Sequence, residues 1–356
     1  MSQTRVLPPE WHPQDAVLLT WPHAESAWAS QLDAVEQTYL DLVSKVSHYQ
    51  RVIVQLHPGT DPVTLVHRLN GMAADMSNCL FVELASDDTW ARDHGPITVL
   101  DGETPVCLDF TFNGWGNKFP AEQDNLLTEQ MYRKGIINDL KQIDWVLEGG
   151  SIESDGQGTL LTTTACLLNE NRNGPVSQEA LEASLKEWFG CQQVLWLKHG
   201  HLEGDDTDAH IDTLARFAPD NVIVFQGCTD ESDTHYEPLT QMKSELEKMQ
   251  TVDGRPYRLL GLPFPMARFA QDGHRLPATY ANFLICNRQV IVPTYDDPSD
   301  SIALSIIEQA FPEHFVTGVN ALPLIEEHGS IHCITMQLPE GSVAKHADFD
   351  HIPINV

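Results

Sequence analysis

Hydrophobic residues recur along the chain in short runs that come in pairs, and each pair predicts a β-hairpin. Polar segments such as DGET and DGQG separate the two runs of a pair, and the Asp155-Gly156 dipeptide in the second segment favours a tight turn. Four such pairs occur, at 97–110, 151–163, 213–226 and 282–295. Antiparallel strand pairs are therefore expected at four places along the chain.

A helical pattern follows each predicted hairpin. In SQEALEASLKEWFG, the clearest case, Ser177 suits the N-cap and Gly190 suits the end of the helix. The apolar stripe of this helix consists of Leu181, Leu185 and Trp188. Short strands such as QVLWL and RLLGL follow most of the helices. The helices are predicted to begin near residues 121, 177, 236 and 299, and this spacing of about 60 residues indicates an internal structural repeat.

Two further apolar runs near the ends of the chain lack a neighbouring strand. They are DAVLLTW at 15–21 and IHCITMQL at 331–338. Pairing them would close a ring of five α/β units and leave no open sheet edge. The sequence thus predicts a single α/β domain over residues 1–356. The alternative is an open doubly wound sheet, for which the sequence offers neither a G-x-G-x-x-G motif nor a P-loop.

The charge of the chain narrows the choice of partners. Lys plus Arg number 21 against 51 Asp plus Glu, which gives a formal net charge of −30. A surface this negative repels nucleic acid and anionic membranes, so neither is expected as a partner, and it attracts small cations. The N-terminal stretch lacks the pattern of a secretory signal, and the seven cysteines are scattered singly. A cytoplasmic protein with reduced thiols is expected.

Distinctive polar residues fall at similar places in several of the repeated units. Asp93 precedes one predicted hairpin, Glu148 enters the next, and His210 and Asp212 enter a third. Cys333 lies in HGSIHCIT, on the predicted last strand. If the units surround one axis, equivalent positions face the same central funnel. Four distant stretches of chain are then expected to build one pocket.

The spacing of His210 and Asp212 is informative by itself. On a strand, residues two apart share a face and lie about 7 Å apart. The opposite face would carry Ile211, Thr213, Ala215 and Phe217, which are mostly apolar. His210 and Asp212 are therefore expected to act on one ligand, although an exposed polar face of an edge strand would give the same pattern.

Each remaining candidate also has a structural interpretation. Trp90 offers a flat face to a planar cation, but Arg92 and Asp93 beside it would also form an ordinary ion pair. The glycines of EGG let the backbone pass close to Glu148. A single cysteine such as Cys333 is more often a small core residue than a nucleophile. A thiol near a protonated imidazole and a bound cation, however, is a usable nucleophile.

A metal centre is the competing interpretation of the acidic stretch GDDTDAHID. The preceding HGHLEGDD superficially resembles a metallohydrolase motif, but its acids come too late and no third histidine follows at the right place. No metal and no other cofactor is therefore expected. Asp205, Asp206 and Asp208 are expected to lie on a mobile loop over the pocket entrance.

Four motifs together resemble one family. WARDHGPI, LEGGSIESDGQGTLLTTTACLLNENRN, DTDAHIDTLARF and SIHCIT are similar, in order and spacing, to the agmatine deiminases and the related Porphyromonas-type peptidylarginine deiminases. The resemblance covers nearly the whole chain. It implies a five-bladed, pseudo-symmetric α/β propeller, the pentein fold of guanidine-modifying enzymes, which agrees with the repeat described above.

The resemblance implies a catalytic role for four residues. Cys333 matches the nucleophile, His210 the general acid and base, and Glu148 the acid that orients this histidine. Asp212 matches a residue that serves both catalysis and binding. The implied mechanism is attack of the thiol on the guanidinium carbon, release of ammonia, and hydrolysis of a covalent thiouronium intermediate.

The resemblance also implies how the substrate is held. Asp93 and Asp212 match the pair of carboxylates that hydrogen-bond the guanidinium group. Trp90 matches a residue of the pocket wall, and Trp115, in FNGWGN, matches a further motif position whose function is less defined.

Four positions depart from the family pattern. Ala209 replaces a common glycine and would narrow the pocket, and Glu153 replaces a common histidine. Ser330 and His328 replace an asparagine and a glycine just before the nucleophile. None of the four is a residue of the core chemistry. They bear on how the far end of the substrate is bound.

The expected activity is hydrolysis of agmatine to N-carbamoylputrescine and ammonia in polyamine synthesis. Agmatine is a dication and suits a chain of net charge −30, whereas no motif offers a cation for the α-carboxylate of arginine. The alternatives are a deiminase of arginine or peptidyl-arginine, a metal-dependent amidohydrolase, and a cation-binding protein without turnover. A homo-oligomer is compatible with the resemblance.

Overall fold

Five separate β-sheets form the framework of the computed structural model, which describes residues 5–344. The seventeen strands are β1 (Arg5–Val6), β2 (Gln14–Thr20), β3 (Arg51–Leu56), β4 (Cys79–Glu83), β5 (Ile97–Asp101), β6 (Thr104–Thr111), β7 (Leu140–Val146), β8 (Ile152–Ser154), β9 (Thr159–Thr163), β10 (Gln193–Leu197), β11 (Ala215–Ala218), β12 (Val222–Gln226), β13 (Arg258–Leu262), β14 (Leu284–Ile285), β15 (Gln289–Thr294), β16 (Phe315–Asn320) and β17 (Thr335–Pro339).

Eleven α-helical segments of the described chain connect or precede these strands. They are α1 (Leu32–Ser47), α2 (Pro62–Gly71), α3 (Ala91–His94), α4 (Gly114–Asn117), α5 (Leu127–Arg133), α6 (Thr164–Leu167), α7 (Glu170–Asn173), α8 (Gln178–Phe189), α9 (Tyr236–Leu246), α10 (Asp300–Ala310) and α11 (Leu322–Ile325). Short 3-10 turns lie at Ala27–Ser30, Met76–Asn78, Asp124–Leu126, Gly149–Ser151 and Ile211–Thr213. No described helix is both long and apolar enough to span a bilayer.

One plan recurs in every sheet. An antiparallel strand pair is followed by a helix and by a strand that returns parallel to the second member of the pair. The pairs β5–β6, β8–β9, β11–β12 and β14–β15 are antiparallel, and β7, β10, β13 and β16 are the parallel strands that complete them. The four predicted hairpins and the repeated α/β unit are confirmed.

The fifth sheet joins the two ends of the chain. Its strand order is β17-β2-β3-β4, and β17 pairs antiparallel with β2 so that Thr335 lies opposite Leu19. The predicted pairing of the two terminal runs is therefore confirmed. It brings the segment that carries Cys333 back to the start of the chain, and β2 is almost wholly buried.

The predicted helix at 177–190 is α8, and its ends are as expected. The side chain of Ser177 accepts a hydrogen bond from the backbone N–H of Ala180, and Gly190 ends the helix in the left-handed region at φ 68°. One detail differs, because Phe189 rather than Trp188 completes the buried stripe with Leu181 and Leu185. The helix predicted near residue 121 begins later, with the 3-10 turn that leads into α5.

Two strand assignments at functional residues are wrong. His210 directly precedes the 3-10 turn Ile211–Thr213, Asp212 is its central residue, and strand β11 begins only at Ala215. Cys333 lies in a turn that ends before β17, and not on the strand itself. In both places the chain turns sharply just before the strand that the hydrophobic pattern predicts.

Candidate functional site

The predicted functional residues occupy equivalent places in different units. Asp93 lies in α3 directly before β5, and Glu148 precedes the 3-10 turn that leads into β8. His210 and Asp212 come before β11, and Cys333 comes before β17. Each of these side chains thus lies shortly before a strand that belongs to an antiparallel pair. This is how distant stretches of sequence contribute to one site.

A cavity of about 630 Å³, counted to its open mouth, lies at this site. Its lining includes four of the predicted residues, namely Trp90, Asp93, Trp115 and Cys333. Asp212 lies directly next to this lining, since its Oδ2 is 3.8 Å from the Sγ of Cys333. His210, Asp212 and Glu148 are not among the described residues that line the cavity, and they lie next to those that do.

The two carboxylates expected to hold a guanidinium are both buried, but they have different hydrogen-bond partners. Asp93 accepts hydrogen bonds from the indole Nε1 of Trp115 at 2.9 Å and from the backbone N–H of Gly150 at 3.0 Å. Asp212 contacts the Nδ1 of His332 with Oδ2 at 2.7 Å, while its buried Oδ1 has no hydrogen-bond partner among residues 5–344. A buried carboxylate oxygen without a partner is costly, so Oδ1 is suited to receive a ligand N–H.

Two tryptophans shape the wall of the cavity. Trp90 donates a hydrogen bond from its Nε1 to Asp88 at 3.0 Å and packs against Gly329, where an added Cβ would lie only 2.0 Å from the ring. Trp115 stands edge-on to Trp90, with ring centroids 6.5 Å apart. Its backbone is held in the left-handed region at φ 54°, which directs its indole N–H to Asp93. Trp115 thus positions a carboxylate as well as lining the wall.

Cys333 is a buried thiol surrounded by hydrogen-bond acceptors. Its Sγ lies 3.4 Å from the Oδ1 of Asn282 and 3.8 Å from the Oδ2 of Asp212. Only 5% of the surface of Cys333 is exposed to solvent. Burial, together with the charges of Asp212 and Asp93, raises the pKa of the Cys333 thiol well above its usual value. The unliganded site therefore holds a neutral thiol.

His210 is poised as an acid. Burial alone would lower the pKa of its imidazole, but the negative charges of Asp93 and Glu148 outweigh it and hold this pKa well above the usual value. Its Nδ1 lies 3.6 Å from the Oδ1 of Asp93. The imidazole is therefore protonated at neutral pH and can donate a proton to a leaving group.

Glu148 does not make the direct contact with His210 that its expected role suggests. Both of its carboxylate oxygens accept hydrogen bonds from the Nε of Arg172, at 2.8 and 3.0 Å. Within the described chain, neither ring nitrogen of His210 has a hydrogen-bond partner. The charge of Glu148 still acts on His210, because a carboxylate oxygen, the Cys166 Sγ and a ring nitrogen all lie within 4.8 Å of one another.

Three polar residues of this site have no role assigned from sequence. Arg172 and Cys166 lie within the motif LLTTTACLLNENRN, and they face Glu148 and His210. Asn282 accepts hydrogen bonds with its Oδ1 from the backbone N–H groups of His332 and Cys333. Asn282 also shortly precedes β14, so the position shared by the other site residues was a signal that could have identified it.

Two groups of buried or half-buried side chains have donor atoms close enough for a metal ion. They are Glu148, Cys166 and His210, and Glu10, Glu153 and His332. In both groups arginines already occupy the carboxylates, since Arg172 pairs with Glu148 and Arg216 pairs with Glu10 and Glu153. A dication would lie beside a guanidinium in either place. These residues fit ion pairs better than a metal.

The acidic loop before His210 is tied to the protein by its own carboxylates. Asp205 accepts hydrogen bonds from Thr207 and from the backbone N–H of Ala209, and Asp208 pairs with Lys118 at 2.9 Å and with Arg172 at 2.8 Å. Asp205 and Asp206 line the mouth of the cavity, as expected. Asp208 is therefore an anchor of the loop and not part of the cavity lining.

Gly150 is expected to be indispensable for the geometry of the site. A Cβ added there would lie 2.7 Å from the Nδ1 of His210, 2.8 Å from the Oδ1 of Asp93 and 3.1 Å from the Oδ2 of Asp212. We expect Gly150→Ala to displace these groups and to lower kcat/KM about 100-fold or more, because small displacements of reacting groups carry such costs. Steady-state kinetics of the folded variant checks this.

A matched control is Gly71→Ala in helix α2. A Cβ added at Gly71 meets nothing within 4 Å, so activity should be unchanged and stability equal or slightly higher. Wild-type activity in a folded Gly150→Ala variant would contradict the description of the site.

Comparison with known proteins agrees with this geometry. The sequence pattern of the Porphyromonas-type peptidyl-arginine deiminase family matches residues 6–339. An agmatine deiminase of Ectopseudomonas mendocina is 32% identical over 94% of this chain and 95% of its own length. The solved structure of a C. jejuni agmatine deiminase variant with substrate bound is 39% identical, with a TM-score of 0.88 over 95% of this chain and 97% of that one.

A further solved structure, an agmatine deiminase of Enterococcus faecalis, is 29% identical, with a TM-score of 0.85 over 95% of this chain and 96% of that chain. The family pattern and these relatives all extend over nearly the whole described chain. The chain therefore belongs to the family of the Porphyromonas-type peptidyl-arginine deiminases and agmatine deiminases.

Proposed function

We propose that this protein hydrolyses agmatine to N-carbamoylputrescine and ammonia through a covalent intermediate on Cys333. The observation that carries the proposal is the juxtaposition of a buried thiol, a buried imidazole and two buried carboxylates at one cavity whose wall carries two tryptophans. Membership of a family that contains agmatine deiminases supports it. The product is a precursor of putrescine, which points to a place in polyamine synthesis.

The carboxylates determine where the guanidinium binds. A guanidinium presents up to five N–H donors in one plane, and two carboxylates can hold it by charge-assisted hydrogen bonds. The unpartnered Oδ1 of Asp212 supplies one acceptor, and Asp93 supplies the other. The central carbon then lies near the Sγ of Cys333, since Asp212 is in contact with that sulfur. The face of Trp90 would cover the planar cation.

The chemistry follows in two steps. The bound cation favours loss of the Cys333 thiol proton to solvent. The thiolate sulfur then bonds to the central carbon, and His210 donates a proton so that nitrogen leaves as ammonia. The resulting thiouronium is attacked by water, from which His210 removes a proton; the carbon–sulfur bond breaks as the carbonyl forms, and the released thiolate is protonated again from solvent. The protein's own residues suffice for both steps, so no cofactor is proposed.

The mouth of the cavity favours a substrate with a second positive charge. Its lining carries the acids Asp88, Asp205, Asp206 and Glu327, and within residues 5–344 no lysine or arginine lines it. An ammonium group at the far end of the substrate would be attracted here, whereas the α-carboxylate of arginine would be repelled. The same lining includes His328, so this departure from the family pattern lies where the far end of the substrate is expected.

The name of the matched family keeps a second candidate open, namely deimination of arginine or peptidyl-arginine. Ammonia release from agmatine and from arginine, measured in parallel with a chelator present, separates the candidates. We expect release from agmatine alone. Release from arginine at a comparable kcat/KM would overturn the substrate assignment, and loss of activity with chelator would favour a metal-dependent amidohydrolase. Binding of agmatine without release would indicate a cation-binding protein.

A decline of activity in acid is expected from Asp93. Burial, with the charges of Asp212 and Glu148, raises the pKa of Asp93 to about 6 in the free protein. Asp93 must be ionised to hold the guanidinium, so kcat/KM should fall about tenfold per pH unit below about pH 6. Kinetics between pH 4.5 and 8 checks this. A flat profile would contradict it, and Asp93→Asn should remove this acid limb together with most of the activity.

The arrangement of the sheets supports a proposal about the whole fold. The five sheets share one plan, the site residues precede equivalent strands, and β17 pairs with β2. We propose that the sheets are the five blades of one closed α/β propeller domain, with the cavity on its axis. A cytoplasmic location, the absence of nucleic-acid and membrane partners, and assembly as a homo-oligomer also stay predictions.

A further inference from the structure

His328 connects two loops that both line the cavity. One loop contributes residues 205–207 to the lining, and the other contributes residues 327–329. The Nδ1 of His328 lies 2.8 Å from the carbonyl oxygen of Gly204, which directly precedes the first loop. Because a carbonyl oxygen can only accept, Nδ1 is the donor of this hydrogen bond. One imidazole therefore bridges two loops that are far apart in the sequence.

This bridge lies at the rim of the cavity and not at its floor. Asp93 and Cys333, at the floor, are buried, whereas Asp206, Glu327 and His328 are half-buried. A substrate that places its guanidinium group beside Asp93 and Cys333 therefore extends past His328 with its far end.

Closely packed backbone holds both ends of the bridge in place. Gly204 lies so near to the chain at Arg275 that an added Cβ would be 2.3 Å from the carbonyl oxygen of Arg275. Gly329, the residue after His328, lies equally close to Trp90, whose ring would be 2.0 Å from an added Cβ. Neither loop has room to shift at these points, so the bridge limits the width of the opening.

The backbone conformation of His328 would suit glycine better than histidine. Its φ is 68°, in the left-handed region, where a Cβ has a steric cost that glycine avoids. The contacts that offset this cost are made by the ring. They are the hydrogen bond to Gly204 and a stacked contact with the ring of His274, whose centroid lies 5.5 Å away. The side chain of His328, and not its backbone, therefore explains a histidine at this position.

We propose that His328 determines specificity by narrowing the mouth of the cavity, which admits a guanidinium on an unbranched chain and excludes one whose chain branches near its far end. The inference rests on the proposed deiminase function and names the substrate class of that site. The chain of agmatine consists of methylene groups alone, whereas arginine, free or within a peptide, branches at its α-carbon. Steric exclusion of the branch adds to the repulsion of a carboxylate by the acidic lining.

The test compares ammonia release from agmatine and from argininol, which keeps both positive charges and adds a hydroxymethyl branch. We expect kcat/KM of the wild type to be about 100-fold lower or more for argininol, because the branch meets His328. In His328→Gly, kcat/KM for argininol should rise about tenfold or more, while kcat/KM for agmatine should not rise. His328→Asn, a smaller side chain that tolerates the left-handed conformation, should give an intermediate ratio of the two kcat/KM values.

A matched control is Ala73→Gly. Ala73 is exposed and has a φ of 59°, so this variant also places glycine at a left-handed position. Ala73 is not among the described residues that line the cavity. The ratio of the two kcat/KM values should therefore equal that of the wild type.

Alkylation of Cys333 tests the width of the mouth without any turnover. The rates with iodoacetamide and with the wider N-tert-butyl iodoacetamide are measured by mass spectrometry of the peptide that contains Cys333. We expect the rate with the narrow reagent, divided by the rate with the wide one, to fall about fivefold or more in His328→Gly.

The outcomes separate the role of His328 from the proposed substrate. If agmatine is hydrolysed and the ratio of kcat/KM values is the same in His328→Gly as in the wild type, the role of His328 in specificity is overturned. If the wild type releases no ammonia from agmatine but the alkylation ratio falls as expected, the narrowing of the mouth by His328 stands and the proposed substrate is wrong.

Discussion

Replacement of Cys333 by alanine is expected to reduce kcat by about 10⁴-fold or more while substrate binding persists. Cys333 is the only cysteine among the described residues that line the cavity. The carboxylates of Asp93 and Asp212, which we propose to hold the guanidinium, remain in place in the variant. Ammonia release measures the loss of kcat, and isothermal titration with agmatine measures the binding.

A suitable control for this substitution is Cys107→Ala. Cys107 is a buried cysteine with an environment that raises the pKa of its thiol to about 11, but it lies on β6 and away from the cavity. Its replacement should leave kcat unchanged. Appreciable turnover by a clean preparation of Cys333→Ala would rule out covalent catalysis by this residue.

Asp212→Asn is expected to raise KM and lower kcat together, with a loss in kcat/KM of about 10³-fold. The change is nearly isosteric, but it removes the charge opposite the guanidinium. It also weakens the acceptor for the Cys333 thiol, and it disturbs the contact with His332. Both effects fall on the same carboxylate, because the unpartnered Oδ1 is the proposed guanidinium acceptor and Oδ2 faces the thiol.

The matched control is Asp220→Asn on the surface. Asp220 is exposed and lies in a left-handed turn at φ 60°, which asparagine adopts as readily as aspartate. Its replacement should change neither KM nor kcat. If Asp212→Asn altered stability alone and left both kinetic constants unchanged, the assignment of Asp212 to guanidinium binding would be wrong.

Much of the fold was predictable because each unit carries its own local signals. Alternating apolar runs around a turn dipeptide predicted the hairpin of β8 and β9, and capping residues predicted α8. The pairing of β2 with β17 was predictable for a different reason. Two buried runs without local partners must find each other if their backbone groups are to be hydrogen-bonded.

The turns around the functional residues could not be predicted from hydrophobic alternation. Asp208 and Ala209 adopt positive φ angles of 68° and 64°, so the chain cannot enter β11 as a strand at that point. The side-chain hydroxyl of Thr213 donates to the carbonyl of His210 and fixes the 3-10 turn. Thr335 bonds to the carbonyls of Ile331 and His332 and fixes the turn at Cys333 in the same way. Such local side-chain contacts produce no periodic pattern in the sequence.

The ion pairs next to the site also could not be predicted from the sequence. Glu10 meets Arg92, Arg216 and His332, which lie between 82 and 322 positions away along the chain. The sequence around Glu10 contains no pattern from which these partners could be predicted. Arg172 is similar, since it faces Glu148 only because α7 packs against β7, the strand that leads into Glu148.

The structure also places the four departures from the family pattern. The φ angle of Ala209 explains why glycine is common at this position, and its side chain does not line the cavity, so the expected narrowing of the pocket is not observed. Glu153 pairs with Arg216 in the interior, and Ser330 is buried against the hydroxyl of Tyr295. Of the four departures, His328 is the one that lines the cavity.

The most direct test of the central claim is intact-protein mass spectrometry of wild-type enzyme quenched with acid during turnover of agmatine. The account predicts a species heavier by the mass of agmatine less ammonia, with the modification mapped to the peptide that contains Cys333 and absent from Cys333→Ala. Turnover with no adduct in samples quenched from milliseconds to minutes, or an adduct on another residue, would contradict nucleophilic catalysis by Cys333.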